Sequence, residues 1–141
     1  MDTLTWINYS DLPQSSGGFS KLFTDYISDF QKVHQYFEYD FRVTQNVLKH
    51  IDRLQTQYQH RAALVEVLRD QNQRFACTDK TRESLDLLAN DKTFAVVTGQ
   101  QVGILGGPLY TIYKTLTTII FSRQLHTAFP DYNFVPVFWL E

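Results

Sequence analysis

Residues 94–114, FAVVTGQQVGILGGPLYTIYK, hold four of the chain's six glycines, at positions 99, 103, 106 and 107. A run of β-formers precedes these glycines and a long apolar-striped segment follows them, so the side-chain period changes from 2 to about 3.6 across a single loop. The returning partner of that first strand is FVPVFWL, residues 134–140. Strands joined through a helix pair in parallel, because a tight turn serves only antiparallel neighbours. The pattern therefore predicts one βαβ unit: a strand from Thr93 to Thr98, a helix from Pro108 to about His126, and a strand from Phe134 to Leu140.

FAVV is apolar on both alternating faces, as expected of a parallel sheet covered on both sides. Pro108 suits the first helical position, where its missing N–H costs nothing, and Gly107 suits the N-cap. Leu109, Ile112, Tyr113, Leu116, Ile119 and Ile120 recur as one helical face. His126 falls near the carbonyl end of that helix, where an imidazolium is favoured. Pro136 removes one backbone donor and marks its strand as an edge, an end or a bulge.

Upstream the pattern is helical. Phe19, Leu22, Phe23, Tyr26, Ile27 and Phe30 share one face of a helix that begins near Ser20. Val47, Ile51, Leu54, Tyr58, Val65 and Leu68 form a second series, and Arg61 falls on its seam. The Gln-rich QTQYQH is either a helix surface or a short break, and the series reads as ordinary helix packing rather than a coiled-coil surface. A third helix starts at Thr78 or Asp79, carries Leu85, Leu87 and Leu88, and stops at the NDK turn, residues 90–92. The fold class is thus α/β. A helical region, 1–91, precedes the start of a parallel-sheet core, 92–141, which is incomplete because two strands and one helix cannot cover both sheet faces. Phe138 and Trp139 are left with little to pack against.

With 43% hydrophobic and 20% charged residues and four prolines, the composition is that of a globular protein rather than a disordered one. The formal net charge is −2 and the basic residues are scattered, which argues against nucleic acid and a membrane surface as partners. The N-terminus has no signal-peptide pattern, and no run approaches the roughly 18 apolar residues of a membrane span, so the expected location is cytoplasmic. Cys77 is the only cysteine, which excludes an internal disulfide. It reads as a small residue at a helix junction rather than an activated thiolate. His34, His50, His60 and His126 match no metal spacing, and no metal site is expected.

The glycine loop itself lies where an open parallel sheet binds its ligands, ahead of a helix N-terminus. It lacks the GK[ST] of a Walker A loop and the spacing of GxGxxG. From composition and position alone, two readings stand: a ligand-binding loop, or a turn that needs positive φ angles.

The wording of the loop is more specific than its composition. VVTGQQVGILGGPLYTIYKT, followed about twenty residues later by VPVFWLE, closely resembles the bacillithiol biosynthesis cysteine-adding enzyme family, and FSKLFTDYISDF and QYFEYDFR resemble that family's opening. The resemblance spans almost the whole chain. Family members are several times longer, and in them the strand ending in FWLE leads to an acidic, histidine-containing stretch that this chain lacks. The chain is therefore expected to be an N-terminal fragment, itself inactive.

The resemblance implies a Rossmann-like core with helical additions and a C-terminal coiled coil, in a protein that is a homodimer at full length. It implies a ligase that adds L-cysteine to the amino group of a glucosaminyl malate, the last step of bacillithiol biosynthesis, with ATP or ADP as the nucleotide bound. On that reading Thr98, Gly99, Gln100, Gln101 and Gly103 form the binding turn, and Gly106, Gly107 and Pro108 open a helix whose N-terminus holds a phosphate or carboxylate. Tyr110 and Lys114 lie one helical turn apart, away from the apolar face, where Lys114 either reaches an anion or stays solvated. Glu141, at the end of the second strand, is the catalytic candidate. Two readings of other classes stand beside this one: a stand-alone nucleotide- or metabolite-binding module, and a helical interaction protein using the Val47, Ile51 and Leu54 face.

Overall fold

A computed structural model of the chain describes residues 7–11, 18–57, 59–101, 103 and 106–140. They belong to two compact units, residues 1–50 and 51–141.

In the first unit Ser20 caps helix α1 (Lys21–Ser28), its Oγ accepting from Phe23 N at 3.2 Å, at the start the sequence predicts. The aromatic residues spaced along this stretch meet one another. Phe23 packs against Phe19 and Tyr9 at centroid distances of 4.8 and 5.7 Å, and Tyr26 lies 4.5 Å from Phe37 and 4.9 Å from Phe41. Phe30, in a 3-10 turn (Phe30–Lys32), and Val33 are buried, and the Phe30 ring lies 6.1 Å from that of Tyr26. Arg42 closes the end of α1: Nη1 donates to Ser28 O at 3.3 Å, while Nε and Nη2 grip the Asp40 carboxylate at 3.0 and 2.8 Å. Hydrogen bonds from Arg42 hold that carboxyl below its usual range. Whatever stability the pair contributes is therefore present above the ordinary carboxylate pKa and is lost as pH falls through the lowered value.

Helix α2 (Asn46–Gln57) crosses the boundary between the units, and α3 (Arg61–Arg74) follows. The Gln-rich stretch is thus helix in its first half and a break in its second: residues 55–57 end α2, and Gln59 and His60 lie outside either helix. Tyr58 lies outside the described residues. Arg61, out of place on an apolar seam, serves the neighbouring helix instead. Its Nη1 donates to Leu88 O at 2.9 Å and satisfies a carbonyl at the end of α4 (Asp79–Leu88). Thr78 caps α4, its Oγ1 accepting from Thr81 N at 3.3 Å.

Strands β1 (Thr93–Gln100) and β2 (Asn133–Leu140) pair in parallel, in register from Thr93 opposite Asn133 to Gln100 opposite Leu140, and helix α5 (Leu109–Ala128) connects them. This is the expected βαβ unit of an α/β protein. Val65 of α3, Leu85 and Leu88 of α4 and Val135 of β2 form a buried core, with Leu68 and Val137 packed against it. Helix α5 packs on both strands, and α4 also contacts both. His126, in the last turn of α5, donates from Nδ1 to Tyr132 O at 2.9 Å and so fastens the helix to the turn before β2.

Three details differ from the sequence expectation. β1 runs two residues past Thr98, so Gly99 and Gln100 belong to the strand. Val97 and Trp139 are 62% and 63% exposed, so the two-sided cover that FAVV suggests gives way to the incomplete cover expected of two strands and one helix; Trp139 has the sparse packing foreseen for it, while Phe138 is half-buried.

The third difference is the orientation of α5. Leu109, Ile112, Tyr113, Leu116 and Ile120 are exposed, while Thr118, Ser122 and Leu125 are buried. The buried hydroxyls do not need external partners: Thr118 Oγ1 donates to Lys114 O and Ser122 Oγ to Thr118 O, each at 2.8 Å. With their polar atoms tied to the helix's own backbone, these small side chains let α5 approach the strands closely.

Replacing Leu85 by Ala should cost about 2–5 kcal/mol, the usual range for truncating a buried leucine. Ile112→Ser on the outer side of α5 should cost no more than about 0.5 kcal/mol in the 141-residue chain. Urea unfolding followed by far-UV circular dichroism compares the two, and a larger loss from Ile112→Ser would reverse the assignment of the faces.

Candidate functional site

β1 delivers Gln100 to the carboxyl end of the sheet, and α5 begins nine residues later, so the loop between them sits at the ligand-binding edge of a parallel sheet. Of the residues singled out from the sequence, Thr98, Gly99 and Gln100 lie in the strand, opposite Phe138, Trp139 and Leu140. Gln101 and Gly103 lie in the loop, Gly106 and Gly107 precede the helix, and Tyr110 and Lys114 stand on its first turns. Glu141 lies outside the described residues, as do Val102, Ile104 and Leu105 of the loop.

The glycines answer to different constraints. A Cβ on Gly99 would stand 2.9 Å from Trp139 O, and one on Gly103 would stand 2.8 Å from Gly107 Cα. These two are close approaches of backbone to backbone. Gly106 and Gly107 instead have φ of 87° and 77°, in the left-handed region that L side chains rarely adopt. The positive-φ reading of the loop is thus right for two of the four positions.

Pro108, with extended ψ, is the N-cap of α5 rather than its first helical residue, and its carbonyl accepts from Thr111 N at 2.9 Å. The proline ring can supply no side-chain cap, so the first turn has none. Thr111 Oγ1 is buried without a hydrogen-bond partner, the only such side-chain atom among the described residues. It sits 3.3 Å from where a Gly107 Cβ would project. Thr111 lies within the GPLYTIYK wording of the loop, but nothing in that wording singles it out from its neighbours. An uncapped helix N-terminus and an orphaned hydroxyl beside it are features that suit a phosphate or carboxylate.

Lys114 is not the solvated lysine its separation from the apolar stripe suggests. Because α5 turns its hydroxyl stripe to the sheet, Lys114 is half-buried and its Nζ donates to Gly99 O and, at 3.1 Å, to Gln100 Oε1. It also lies 5.9 Å from the Tyr110 ring centroid. Gln100 Nε2 donates in turn to Tyr110 Oη at 2.7 Å and to Gln101 Oε1 at 3.1 Å. Five of the nominated residues, Gly99, Gln100, Gln101, Tyr110 and Lys114, therefore form one hydrogen-bonded group at the end of β1.

The other titratable candidates lie elsewhere. Cys77, half-buried at the junction of α3 and α4, lines a shallow hollow with Arg69, Asn72 and Asp86, which suits the junction role. Among the described residues no group of His, Cys, Asp or Glu could hold a metal ion, and no helix is long and apolar enough to cross a membrane.

Comparison with known proteins bears on the whole of this arrangement. The family model described as "Bacillithiol biosynthesis BshC, N-terminal Rossmann-like domain" matches residues 6–141. Curated relatives named "Putative cysteine ligase BshC" include one from Chlorobaculum tepidum, 40% identical over 139 residues, and one from Chloroherpeton thalassium, 44% identical over 133 residues. The matches cover 96% and 90% of this chain but 25% and 24% of the relatives. A relative from Flavobacterium johnsoniae is 36% identical over 129 residues. The chain thus spans about a quarter of the length of the curated relatives it matches.

The glycine assignments lead to a paired outcome. Gly99→Ala should force β1 and β2 apart at Trp139, at a cost of about 1–3 kcal/mol from overpacking. Gly106→Ala meets open space and should cost about 1–2 kcal/mol through its backbone angle alone. Denaturant midpoints give the totals. Amide exchange gives the distinction: faster exchange of the paired amides at the ends of β1 and β2 is expected for Gly99→Ala only, and the same acceleration in Gly106→Ala would refute it.

Proposed function

Because the chain belongs to the bacillithiol biosynthesis BshC family, through its N-terminal Rossmann-like domain, we propose that it forms the nucleotide- or substrate-holding part of a cysteine ligase. The reaction is the joining of L-cysteine to the amino group of a glucosaminyl malate, in the cytoplasm, by a homodimeric full-length protein that carries a C-terminal coiled coil. The observation that carries this reading is the coincidence of the family match with the glycine loop, which it covers in full.

An amide forms when the cysteine carboxyl carbon bonds the acceptor nitrogen and gives up an oxygen, so that carboxyl must first be made electrophilic. ATP supplies that chemistry when bound, by taking the oxygen away with a phosphoryl-derived group. The role assigned to this chain is to hold and orient anionic groups. Gly103 packs against the backbone of Gly107, Gly107 leaves the Thr111 hydroxyl uncrowded, and the first turn of α5 with Thr111 offers donors to a phosphate or carboxylate. Tyr110, Gln100 and Gln101 add neutral hydrogen-bonding groups at the same edge.

Deleting the complete gene should abolish bacillithiol and accumulate glucosaminyl malate, as read by mass spectrometry of the small thiols and their precursors. The full gene should restore the thiol, and codons 1–141 alone should not. Normal bacillithiol in a clean deletion, with no second copy, would remove the ligase reading. In the full-length product, Gly103→Val and Gly107→Val should weaken binding of nucleotide or substrate beyond any loss of stability, and unchanged binding in a folded variant would return the loop to a structural role.

A further inference from the structure

The hydrogen bonds at the end of β1 can run in one direction only. Lys114 Nζ carries donors and no acceptor, so the Gln100 atom 3.1 Å from it is the carbonyl oxygen Oε1. The other end of that amide, Nε2, is then committed as a donor to Tyr110 Oη and Gln101 Oε1. Tyr110 Oη accepts here, so its own proton is free to point away from Gln100. Gln101 has used its oxygen, so its NH2 group is also free to point away. Both residues are exposed. A fixed cation at the inner end thus orients a chain of neutral groups whose outer end displays donors.

We propose that Lys114 is a positioning residue that sets the amide orientation of Gln100 and thereby turns the Tyr110 hydroxyl and the Gln101 amide outward as donors for an anionic oxygen of a reactant. The proposal rests on the preceding reading of this edge as a reactant site and adds the ligand chemistry, a carboxylate or a phosphate. A purely structural lysine, tying α5 to β1 through Gly99 O, makes the same contact. The two roles separate in Gln100→Glu. Both carboxylate oxygens accept, so Lys114 keeps its partners and its tie to the strand. Tyr110 must then donate inward and Gln101 must turn its NH2 inward, leaving acceptors on the outer side. Shape and anchoring are retained while the polarity of the edge is reversed and one negative charge is added. Tyr110→Phe, which removes an outward donor and adds no charge, should therefore raise the same KM, and an unchanged KM in a folded Tyr110→Phe protein would count against the proposal.

The experiment uses the full-length gene product with Lys114→Met, Lys114→Arg, Gln100→Glu and Tyr110→Phe, and measures kcat, the KM of each reactant, and the melting temperature. Lys114→Met and Gln100→Glu should raise the KM of one anionic reactant about 10- to 100-fold, the loss expected when hydrogen bonds to a charged group are removed, with a smaller change in kcat. Lys114→Arg, also donor-only, should restore most of the affinity, and Gln100→Glu should melt like the parent. A rise confined to ATP identifies a phosphate; a rise confined to L-cysteine or glucosaminyl malate identifies a carboxylate. Unchanged KM values for all three in a normally melting Gln100→Glu protein would overturn the proposal and leave the ligase reading intact. If the parent protein joins no cysteine to glucosaminyl malate, the ligase reading fails, and calorimetric titration of ADP and of L-malate into parent and Gln100→Glu then decides the positioning role. Weaker binding of either by the variant supports it; equal binding, or none by the parent, refutes it.

Discussion

A parallel pair of strands cannot be closed by a tight turn, and most of what the second unit does follows from that constraint. β1 and β2 pair over eight positions only because α5 carries the chain back along the sheet between them. The return requires a sharp change of direction after Gln100 and a helix lying close against both strands. The first demand is met by glycines and the second by the hydroxyl stripe of α5. It also places the loop at the carboxyl edge of the sheet, where a ligand meets strand ends and a helix N-terminus together.

Much of this was legible from residue types. The change of period at residues 93–108, the helix starts near Ser20 and at Thr78 or Asp79, and the return strand 134–140 all rest on local chemistry, and the structure agrees with each to within a residue or two. The facing of α5 was not legible, because hydropathy ranks Leu109, Ile112 and Leu116 as core and Thr118 and Ser122 as surface. That ranking treats a hydroxyl as needing water. In a helix the carbonyl four residues back serves instead, and a threonine or serine so bonded packs as a small, nearly apolar side chain. The solvated alternative for Lys114 fails for the same reason, since it rested on the same facing of the helix.

The loop glycines show how far residue type alone can take a functional reading. Four glycines within nine positions signalled unusual backbone needs, but not which needs. Gly106 and Gly107 adopt positive φ, while Gly99 and Gly103 lie where a side chain would strike backbone atoms of Trp139 and Gly107. The latter requirement depends on strand register and on the fold of the loop, neither of which a local pattern encodes. Thr111 escaped notice on the same ground: a threonine in a helical first turn is ordinary until its hydroxyl is found buried and unpartnered.

The polar group at the end of β1 links the two demands of the crossover to the chemistry of the site. Because α5 presents its hydroxyl stripe to the sheet, Lys114, four residues before Thr118, comes to the end of β1, and its ammonium meets the carbonyl of Gly99, where the strand has lost its side chain. A bulkier residue at 99 would separate the strands at Trp139 and move that carbonyl away from the lysine. The same glycine that permits close strand pairing thus holds the cation's anchor in place, and the cation in turn decides which way Gln100 faces. Strand pairing, helix facing and the hydrogen-bond direction of the edge are in this way consequences of one packing solution, and a change to any one of them is felt at the place where a reactant would be held.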